Sequence, residues 1–299
     1  MLKNIDLNSI RAHSGNIAIV GHGTADFDAM VSGILLERVL RRLNIEAYFC
    51  VPDGHYDEFF VAKAREMGFD YVADHSLVDE NAVLFLVDHT ADYPNNQVIG
   101  CFDHHPQLAE IPCNYVNQPQ TCCAKIIYDW AVSLGVKIPQ DLTEMVVYAC
   151  HMDSLSFKSS KALPEDREWC REMMAKYGMD EDEVILFGYG VTDTNLDAET
   201  FFNTGLKTYA LGDKNIKASY AVTAGSIDED LLLIASASEY LRQKLDDKTV
   251  AWCYLTQNAA LDWTHVVLIQ ADGFVQGAVD RVLSRGKDVI PAVMEYLSK

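Results

Sequence analysis

The sequence contains no long hydrophobic run. Its apolar stretches, such as residues 82–87, fall far short of the roughly 20 residues that a membrane-spanning helix requires. Residues 1–8 show no apolar core of a secretory signal either. We therefore expect no membrane segment and a cytoplasmic location.

Basic residues are scarce. The chain has 24 Lys and Arg residues against 44 Asp and Glu residues, which gives a formal net charge of −20 at pH 7. Because binding to extended nucleic acid relies on clustered Lys and Arg, this composition argues against a general nucleic-acid surface. A small anionic substrate is compatible with it, provided that metal ions or a few basic side chains supply positive charge locally.

Paired cysteines are also lacking. The eight cysteines lie mostly in apolar segments, show no CxxC spacing and include the adjacent Cys122 and Cys123. We expect reduced, mostly buried thiols rather than a disulfide framework.

What the sequence does contain is a regular alternation of apolar strands and amphipathic helices. The 299 residues are enough for two domains. Over residues 16–188 the strand candidates are short, β-branched and apolar with little alternation, which is typical of a parallel sheet buried on both faces. This pattern predicts a doubly wound, mainly parallel α/β domain. The predicted strands are residues 16–20, 47–51, 71–73, 82–88, 98–103 and 114–116, and the predicted helices are residues 27–43, 56–67, 121–134, 142–152 and 165–177.

A second, smaller α/β domain is predicted after a glycine-containing hinge. Residues 187–196 combine two glycines with four polar residues, which favours a hinge. We place the first domain at 1–188, the hinge at 189–196 and the second domain at 197–299. The second domain is predicted to contain strands 205–211, 216–222, 250–255 and 265–269, a hairpin turn at 212–215, and helices 228–245 and 289–297.

Three polar side chains follow the first predicted strand. His22, Asp26 and Asp28 lie between that strand and the next helix, at the end of a strand where open α/β sheets bind their ligands. One imidazole and two carboxylates within seven residues indicate cation binding. The alternative is that Asp26 and Asp28 simply cap the helix.

Further clusters of the same kind occur downstream. Asp88 ends one apolar strand, the triplet Asp103, His104 and His105 ends the next, and Asp153 follows an apolar helix. The carboxyl ends of parallel strands meet at one crevice, where five aspartates could not all stay ionised without compensating charge. Mixed His and Asp ligation favours Mn²⁺, Co²⁺ or Zn²⁺ over Ca²⁺, and the number of ligands favours two ions about 3.5–4 Å apart.

Together these clusters resemble a known family. The pattern His22-x₃-Asp26-x-Asp28, then Asp88, then the triplet starting at Asp103, resembles the motifs of DHH phosphoesterases. The segments that begin at Asp153, Phe202 and Leu283 resemble motifs of manganese-dependent (family II) inorganic pyrophosphatases, whose second domain is of the DHHA2 type. The resemblance covers roughly residues 16–297.

This resemblance implies a centre of two divalent ions, with Mn²⁺ or Co²⁺ resident and Mg²⁺ acceptable together with the substrate. The implied ligands are His22, Asp26 and Asp88 for one ion, and Asp28, Asp88, His104 and Asp153 for the other. Asp88 would thus bridge the two ions. His89 and His151 match none of these positions, and we interpret both as structural.

The resemblance also implies residues that handle a phosphate substrate. His105 would contact substrate phosphate, and Asp103 would orient the neighbouring histidine. Lys207 and Arg285 would reach from the second domain and clamp the phosphate when the hinge closes, and Lys287 would contribute to substrate binding. The implied catalytic set is Asp88, Asp103, His105, Lys207 and Arg285.

Three departures from the family pattern concern the substrate more than the reaction type. Thr24-Ala25 stands where the family has Asn-Pro, and Thr121-Cys122-Cys123 stands in its glycine-serine/cysteine-threonine signature. Gly286 replaces the lysine that follows Arg285 in the family, and Lys287 would face away from that position if the segment is a strand.

The sequence thus predicts a metal-dependent phosphohydrolase that cleaves a phosphoanhydride, in the first place inorganic pyrophosphate, with a hydroxide activated by two metal ions. One alternative is hydrolysis of short-chain polyphosphate or of a nucleotide phosphoester. Another is a catalytically weak phosphate- or nucleotide-binding regulator that has kept the metal site. The expected partner is a small phosphate substrate, with no extended nucleic acid and no membrane, and a homodimer is a candidate assembly.

Overall fold

A computed structural model of the chain describes residues 5–22, 26–50, 65, 81–91, 93–107, 109–159, 162–188, 202–203, 206–223, 240–258 and 262–298. It divides into two compact units, Met1–Phe157 with Lys161–Val184, and Lys158–Ser160 with Ile185–Lys299. The hinge predicted at 189–196 lies outside the described residues, as do the strand at 71–73 and most of the helices at 56–67 and 228–245. Among the described helices, none combines the length and the apolar character needed to cross a membrane.

The first unit is built on a parallel sheet. Its strands are β1 (Ile17–Val20), β2 (Ala47–Cys50), β3 (Val83–Val87), β4 (Val98–Asp103) and β5 (Tyr115–Asn117). They lie in the order β2-β1-β3-β4-β5, and every neighbouring pair is parallel. All residues of β1 and β3 are buried, which confirms the prediction of a parallel sheet covered on both faces.

The register of this sheet aligns the carboxyl ends of its central strands. Val20, the last residue of β1, pairs with Leu86 of β3, and Val87 pairs with Phe102 of β4. Residues that directly follow β1, β3 and β4 therefore meet at one edge of the sheet.

The helices described in the first unit are α1 (Leu7–Arg11), α2 (Phe27–Arg42), α3 (Cys123–Ser133), α4 (Gln140–Ser154) and α5 (Pro164–Tyr177). A further helix, α6 (Glu181–Gly188), begins in the first unit and ends in the second. Helix α2 is buried along most of its length, which agrees with its largely apolar sequence. Helix α4 runs two residues beyond its predicted end, so Asp153 belongs to its last turn instead of following it.

The second unit contains a mixed sheet. Its strands are β6 (Lys207–Leu211), β7 (Lys214–Thr223), β8 (Thr249–Asn258), β9 (Thr264–Gln270) and β10 (Gly273–Val279), in the order β10-β9-β8-β7-β6. Strands β7 and β8 are parallel and the other pairs are antiparallel. The β6–β7 pairing confirms the predicted hairpin. A π-helical turn (Arg285–Val289) leads into α7 (Ile290–Leu297). The two-domain α/β fold class is thereby confirmed.

Candidate metal centre

The predicted ligands of the first unit converge at the carboxyl edge of the parallel sheet. His22 follows β1, Asp88 follows β3 and His104 follows β4, while Asp28 lies in the first turn of α2 and Asp153 in the last turn of α4. Sheet and helices thus bring together side chains that are up to 131 positions apart in the sequence, from His22 to Asp153.

Two groups of donor atoms form there. In the first-ion group, His22, Asp26 and Asp88 each offer an atom within 4.8 Å of the others, and His22 Nε2 lies 3.5 Å from Asp26 Oδ2 and 3.5 Å from Asp88 Oδ2. In the second-ion group, Asp28, His104 and Asp153 do the same. Within this group, His104 Nε2 lies 3.7 Å from Asp28 Oδ2 and 3.6 Å from Asp153 Oδ2.

Asp88 faces both groups with different oxygens. Its Oδ2 lies next to His22, and its Oδ1 lies 3.3 Å from His104 Nε2. This is the arrangement expected of a carboxylate shared by two cations. The position assigned to Asp88 as a bridge fits this geometry.

Asp26 combines the two interpretations left open by the sequence. Its Oδ1 accepts a hydrogen bond from Ala29 N at 3.2 Å and so caps α2, while its Oδ2 faces His22. Asp28 is 3 % exposed and lies inside the helix, so it is not a cap.

His105 and Asp103 form a pair beside the two groups. Asp103 Oδ1 accepts hydrogen bonds from His105 N at 3.0 Å and Nδ1 at 3.1 Å. His105 also groups with Asp88 and His104, its Nδ1 being 3.6 Å from Asp88 Oδ1. Asp103 is fully buried, whereas the His105 side chain is 41 % exposed. The histidine that Asp103 orients is thus His105, and its ring is open to a ligand from solvent.

The donor set fits a cation. Asp88 Oδ1 and His104 Nε2 are buried, and neither makes a well-aligned hydrogen bond to any described residue although the two atoms face each other. Buried polar atoms without partners are costly, and a cation between them would satisfy both. Imidazole and carboxylate donors in one cluster suit Mn²⁺, Co²⁺ or Zn²⁺.

The charges of the cluster also indicate that it needs a bound cation. Burial lowers the pKa of His22, but the carboxylates of Asp26 and Asp88 outweigh it and raise the pKa to about 10. For His104, burial is likewise outweighed, chiefly by Asp88 and Asp153, and the pKa rises to about 10. Burial, reinforced by the Asp88 charge, raises the pKa of Asp28 well above its usual value. Protons thus compensate the carboxylates, and a bound cation would displace them.

Backbone groups of residues 120–124 support two of the ligands, and these contacts were not predicted from the sequence. Asp28 accepts hydrogen bonds from the backbone N–H groups of Cys123 and Ala124, at 2.7 and 2.9 Å, at the start of α3. His104 Nδ1 lies 3.0 Å from the carbonyl oxygen of Gln120. Since these contacts use the backbone, the atypical side chains at 121–123 do not prevent them. The sequence predicted that a helix starts near this point, and helix starts bind anions. It did not show that the anion bound here is the Asp28 carboxylate.

The basic residues predicted to bind substrate belong to the second unit. Lys207 opens β6, and Arg285 and Lys287 lie in the π-helical turn, so their segment is not a strand. Arg285 Nη1 donates to Ala218 O at 3.2 Å. Gln257 Nε2 donates to Leu283 O at 2.9 Å and fixes the backbone just before the turn. The substrate roles of Lys207, Arg285 and Lys287 stay predictions.

His89 and His151 lie among structural contacts. His89 Nδ1 is 3.0 Å from Val87 O, and its Nε2 is 3.1 Å from the Tyr93 hydroxyl. His151 is buried, with Nδ1 3.4 Å from Ser156 Oγ. Neither ring belongs to a metal-holding group within the described part of the chain.

The DHH family, N-terminal domain, matches residues 16–150, the part of the chain that contains all proposed ligands except Asp153. The chain carries a DHH domain. This match agrees with the DHH motifs that the sequence predicted at His22, Asp88 and Asp103.

Several known proteins are similar to this chain over almost its whole length. A probable manganese-dependent inorganic pyrophosphatase of Shouchella clausii (strain KSM-K16) is 23% identical, with 94% of this chain and 97% of the relative covered. One of Staphylococcus carnosus (strain TM300) is 24% identical, with 94% and 98% covered. The resemblance to manganese-dependent pyrophosphatases is thereby confirmed.

Solved structures support the two-domain fold. A Methanococcus jannaschii protein assigned to the family II inorganic pyrophosphatases superposes with a TM-score of 0.71 at 18% identity, covering 95% of this chain and 100% of its own. An exopolyphosphatase-related protein from Bacteroides fragilis gives a TM-score of 0.52 at 16% identity, covering 88% and 81%.

Proposed function

We propose that this DHH-domain protein is a phosphohydrolase that hydrolyses inorganic pyrophosphate to two phosphates with two divalent ions, Mn²⁺ or Co²⁺. The observation that carries the proposal is Asp88, whose two oxygens face two separate groups of donors. A shared carboxylate of this kind is suited to a pair of metal ions acting on one phosphoryl group. The names of the full-length relatives support pyrophosphate as the substrate.

The residues that would hold the ions are those of the two groups. His22, Asp26 and Asp88 would bind one ion, and Asp28, His104 and Asp153, with Asp88, the other. When bound, such ions lower the pKa of a coordinated water and neutralise charge on the phosphate.

The chain itself contributes an oriented imidazole at the open side of the centre. Asp103 accepts the Nδ1 proton of His105 and so directs the opposite ring nitrogen away from the buried carboxylate. The half-exposed ring then presents Nε2 to the solvent side of the centre, where this nitrogen can form a hydrogen bond with a phosphate substrate. Lys207 and Arg285 would add positive charge toward the phosphate from the second domain.

Phosphate release from pyrophosphate in the presence of Mn²⁺ or Co²⁺ tests the proposal. We expect turnover by the wild-type protein, loss of turnover with a chelator, and loss in Asp88→Asn because one oxygen of the shared carboxylate is replaced by a non-ligating amide. Asp182→Asn, an exposed aspartate in the first turn of α6, is the matched control and should be fully active. Absence of phosphate release from every phosphoanhydride tested would refute the proposal.

A second candidate function is hydrolysis of short-chain polyphosphate or of a nucleotide phosphoester. It is favoured by Gly286, which removes a lysine from the segment that resembles the family's substrate motif. Rates on pyrophosphate, tripolyphosphate and a dinucleotide separate the two candidates. Binding of these compounds with thermal stabilisation but without turnover would instead favour the weak phosphate-binding regulator.

A further inference from the structure

Asp166, in the first turn of α5, is a buried carboxylate with a defined set of partners. It is 2 % exposed. Its Oδ2 accepts a hydrogen bond from Thr121 N at 2.8 Å, and its Oδ1 accepts one from Gln120 Nε2 at 2.8 Å. Lys125 Nζ lies 3.9 Å from Oδ1 and supplies a compensating positive charge. Asp166 therefore holds the chain just before α3 through both of its oxygens.

The stretch that Asp166 holds, Gln120 to Ala124, is the 120–124 segment. At one end, the Gln120 carbonyl lies 3.0 Å from His104 Nδ1. At the other end, the backbone N–H groups of Cys123 and Ala124 donate to the two oxygens of Asp28. The segment thus contacts two of the three side chains of the second-ion group: His104 at the ring nitrogen opposite Nε2, and Asp28 at both carboxylate oxygens.

The hydrogen bonds by which the 120–124 segment reaches the metal centre go to His104 and Asp28 of the second-ion group. In the first-ion group, His22 lies next to both Asp26 and Asp88, and Asp26 accepts a hydrogen bond from the backbone of α2. A displacement of the segment would consequently move the Gln120 carbonyl and the α3 N–H groups relative to His104 and Asp28, while leaving His22 and Asp26 in place.

We propose that Asp166 is a positioning residue for one metal ion of the pair, the ion of the second-ion group. Its carboxylate fixes the 120–124 segment, which in turn fixes the ring of His104 and the carboxylate of Asp28. The inference rests on the two-ion centre of the proposed function, but it does not depend on the substrate. Groups that orient metal ligands from behind typically change metal affinity by about 10–100-fold when they are removed.

Titration of the metal-free protein with Mn²⁺ tests this inference. We expect two ions per chain in the wild-type protein, measured by equilibrium dialysis and by calorimetry. His22→Asn and Asp153→Asn, which each remove a ligand of one group only, identify which binding step belongs to which ion. Asp166→Asn should raise the dissociation constant of the Asp153-dependent step about tenfold, because an amide N–H would face a backbone or side-chain N–H. The His22-dependent step should be unchanged.

Glu165→Gln is the matched control. Glu165 is the exposed neighbour of Asp166 in the same helical turn, so the substitution removes the same charge from the start of α5 without touching the segment. Both binding steps should remain as in the wild type. If Asp166→Asn does not fold, as judged by circular dichroism, Gln120→Ala takes its place, since it removes one of the two contacts to Asp166 and keeps the carbonyl. It should weaken the same step by a smaller factor.

Equal weakening of both ions, or no weakening of either, in the folded variant would overturn the inference. Failure of the proposed function gives a different result. A wild-type protein that binds two ions but releases no phosphate contradicts pyrophosphate hydrolysis and leaves the role of Asp166 open to the same titration. A wild-type protein that binds fewer than two ions contradicts the two-ion centre itself.

Discussion

At the scale of single residues, Asp88 is held in an unusual backbone conformation. Its φ is 63°, in the left-handed region that residues other than glycine, asparagine and aspartate rarely adopt. Its N–H donates to Phe102 O at 2.9 Å, which ties this conformation to the end of β4. The strained turn aims the carboxylate between the two ion groups, as is common at functional sites.

Two substitutions at this position separate strain from ligation. Asp88→Gly and Asp88→Ala both remove the carboxylate, but only glycine adopts positive φ without steric cost. We expect the free energy of unfolding of metal-free Asp88→Gly to exceed that of Asp88→Ala by about 1 kcal/mol. Urea denaturation measures the difference. Equal stabilities of the two variants would show that the turn stores no strain.

His151 makes stability depend on pH in a defined window. Burial, with a smaller contribution from Arg167, lowers its pKa from 6.5 to about 4. Between these values the unfolded chain binds a proton that the folded chain does not, so stability present above pH 6.5 is lost as the pH falls toward 4. The loss amounts to about 3 kcal/mol.

Comparison with His151→Gln isolates this contribution. Glutamine has no charge to gain, so the stability difference between the wild type and the variant should shift against the wild type by about 3 kcal/mol from pH 7 to pH 4. Urea denaturation of the metal-free proteins measures it, because other titrating groups contribute equally to both chains. A difference that is constant over this range would contradict the expectation.

Residues of the candidate site could be predicted from the sequence where they come directly after an apolar strand. His22, Asp88 and His104 each follow an apolar run, so sheet topology alone predicts that they converge. Asp166 and Gln120 gave no such signal, because they are 46 positions apart and meet only when α5 packs beside the start of α3. Side chains that act through another residue have no spacing rule, and the sequence alone cannot identify them.

At the scale of elements, α2 packs closely against β2 at Gly33. A methyl group added at Gly33 would overlap the ring of Phe49, which is fully buried in the core. Glycine therefore lets the helix that holds Asp28 approach the sheet. We expect Gly33→Ala to lower the free energy of unfolding by about 1–3 kcal/mol, the usual cost of overpacking.

A smaller partner should relieve this overlap. In a double-mutant cycle, Gly33→Ala should cost less in a Phe49→Leu background than in the wild type. Gly277→Ala, where a methyl group would meet no atom within 4 Å, is the control and should change stability by less than about 0.5 kcal/mol. Additive effects of the two core substitutions, measured by urea denaturation, would contradict the close approach.

Strands with buried faces could be predicted from the sequence, whereas an exposed edge strand could not. Strands β1 and β3 are apolar and buried along their whole length because both faces of their sheet are covered, and their sequences reveal this directly. Strand β10 was not predicted, because it lies at the edge of its sheet with exposed side chains and contains Gly273 and Gly277. An edge strand of this kind has no buried face to impose a period on its sequence.

At the scale of the whole molecule, the donor groups lie entirely within the first compact unit, in a chain with a net charge of −20. Metal ions would there neutralise a cluster of buried carboxylates, and binding to the folded state alone stabilises it by RT ln(1 + [L]/Kd). The stabilisation should accordingly be confined to the unit that holds the ligands.

Hydrogen exchange with and without Mn²⁺ tests this confinement. At a metal concentration of about 100 Kd, the first unit should gain about 2.7 kcal/mol, so amides of β3 and β4 that exchange by unfolding of the unit should slow by about 100-fold. Amides of β8 and β9 in the second unit should exchange as before. Asp88→Asn is the control, since loss of the shared carboxylate should remove the effect of Mn²⁺ on both sheets. Equal slowing in the two sheets of the wild type would show instead that metal binding stabilises the chain as one cooperative unit.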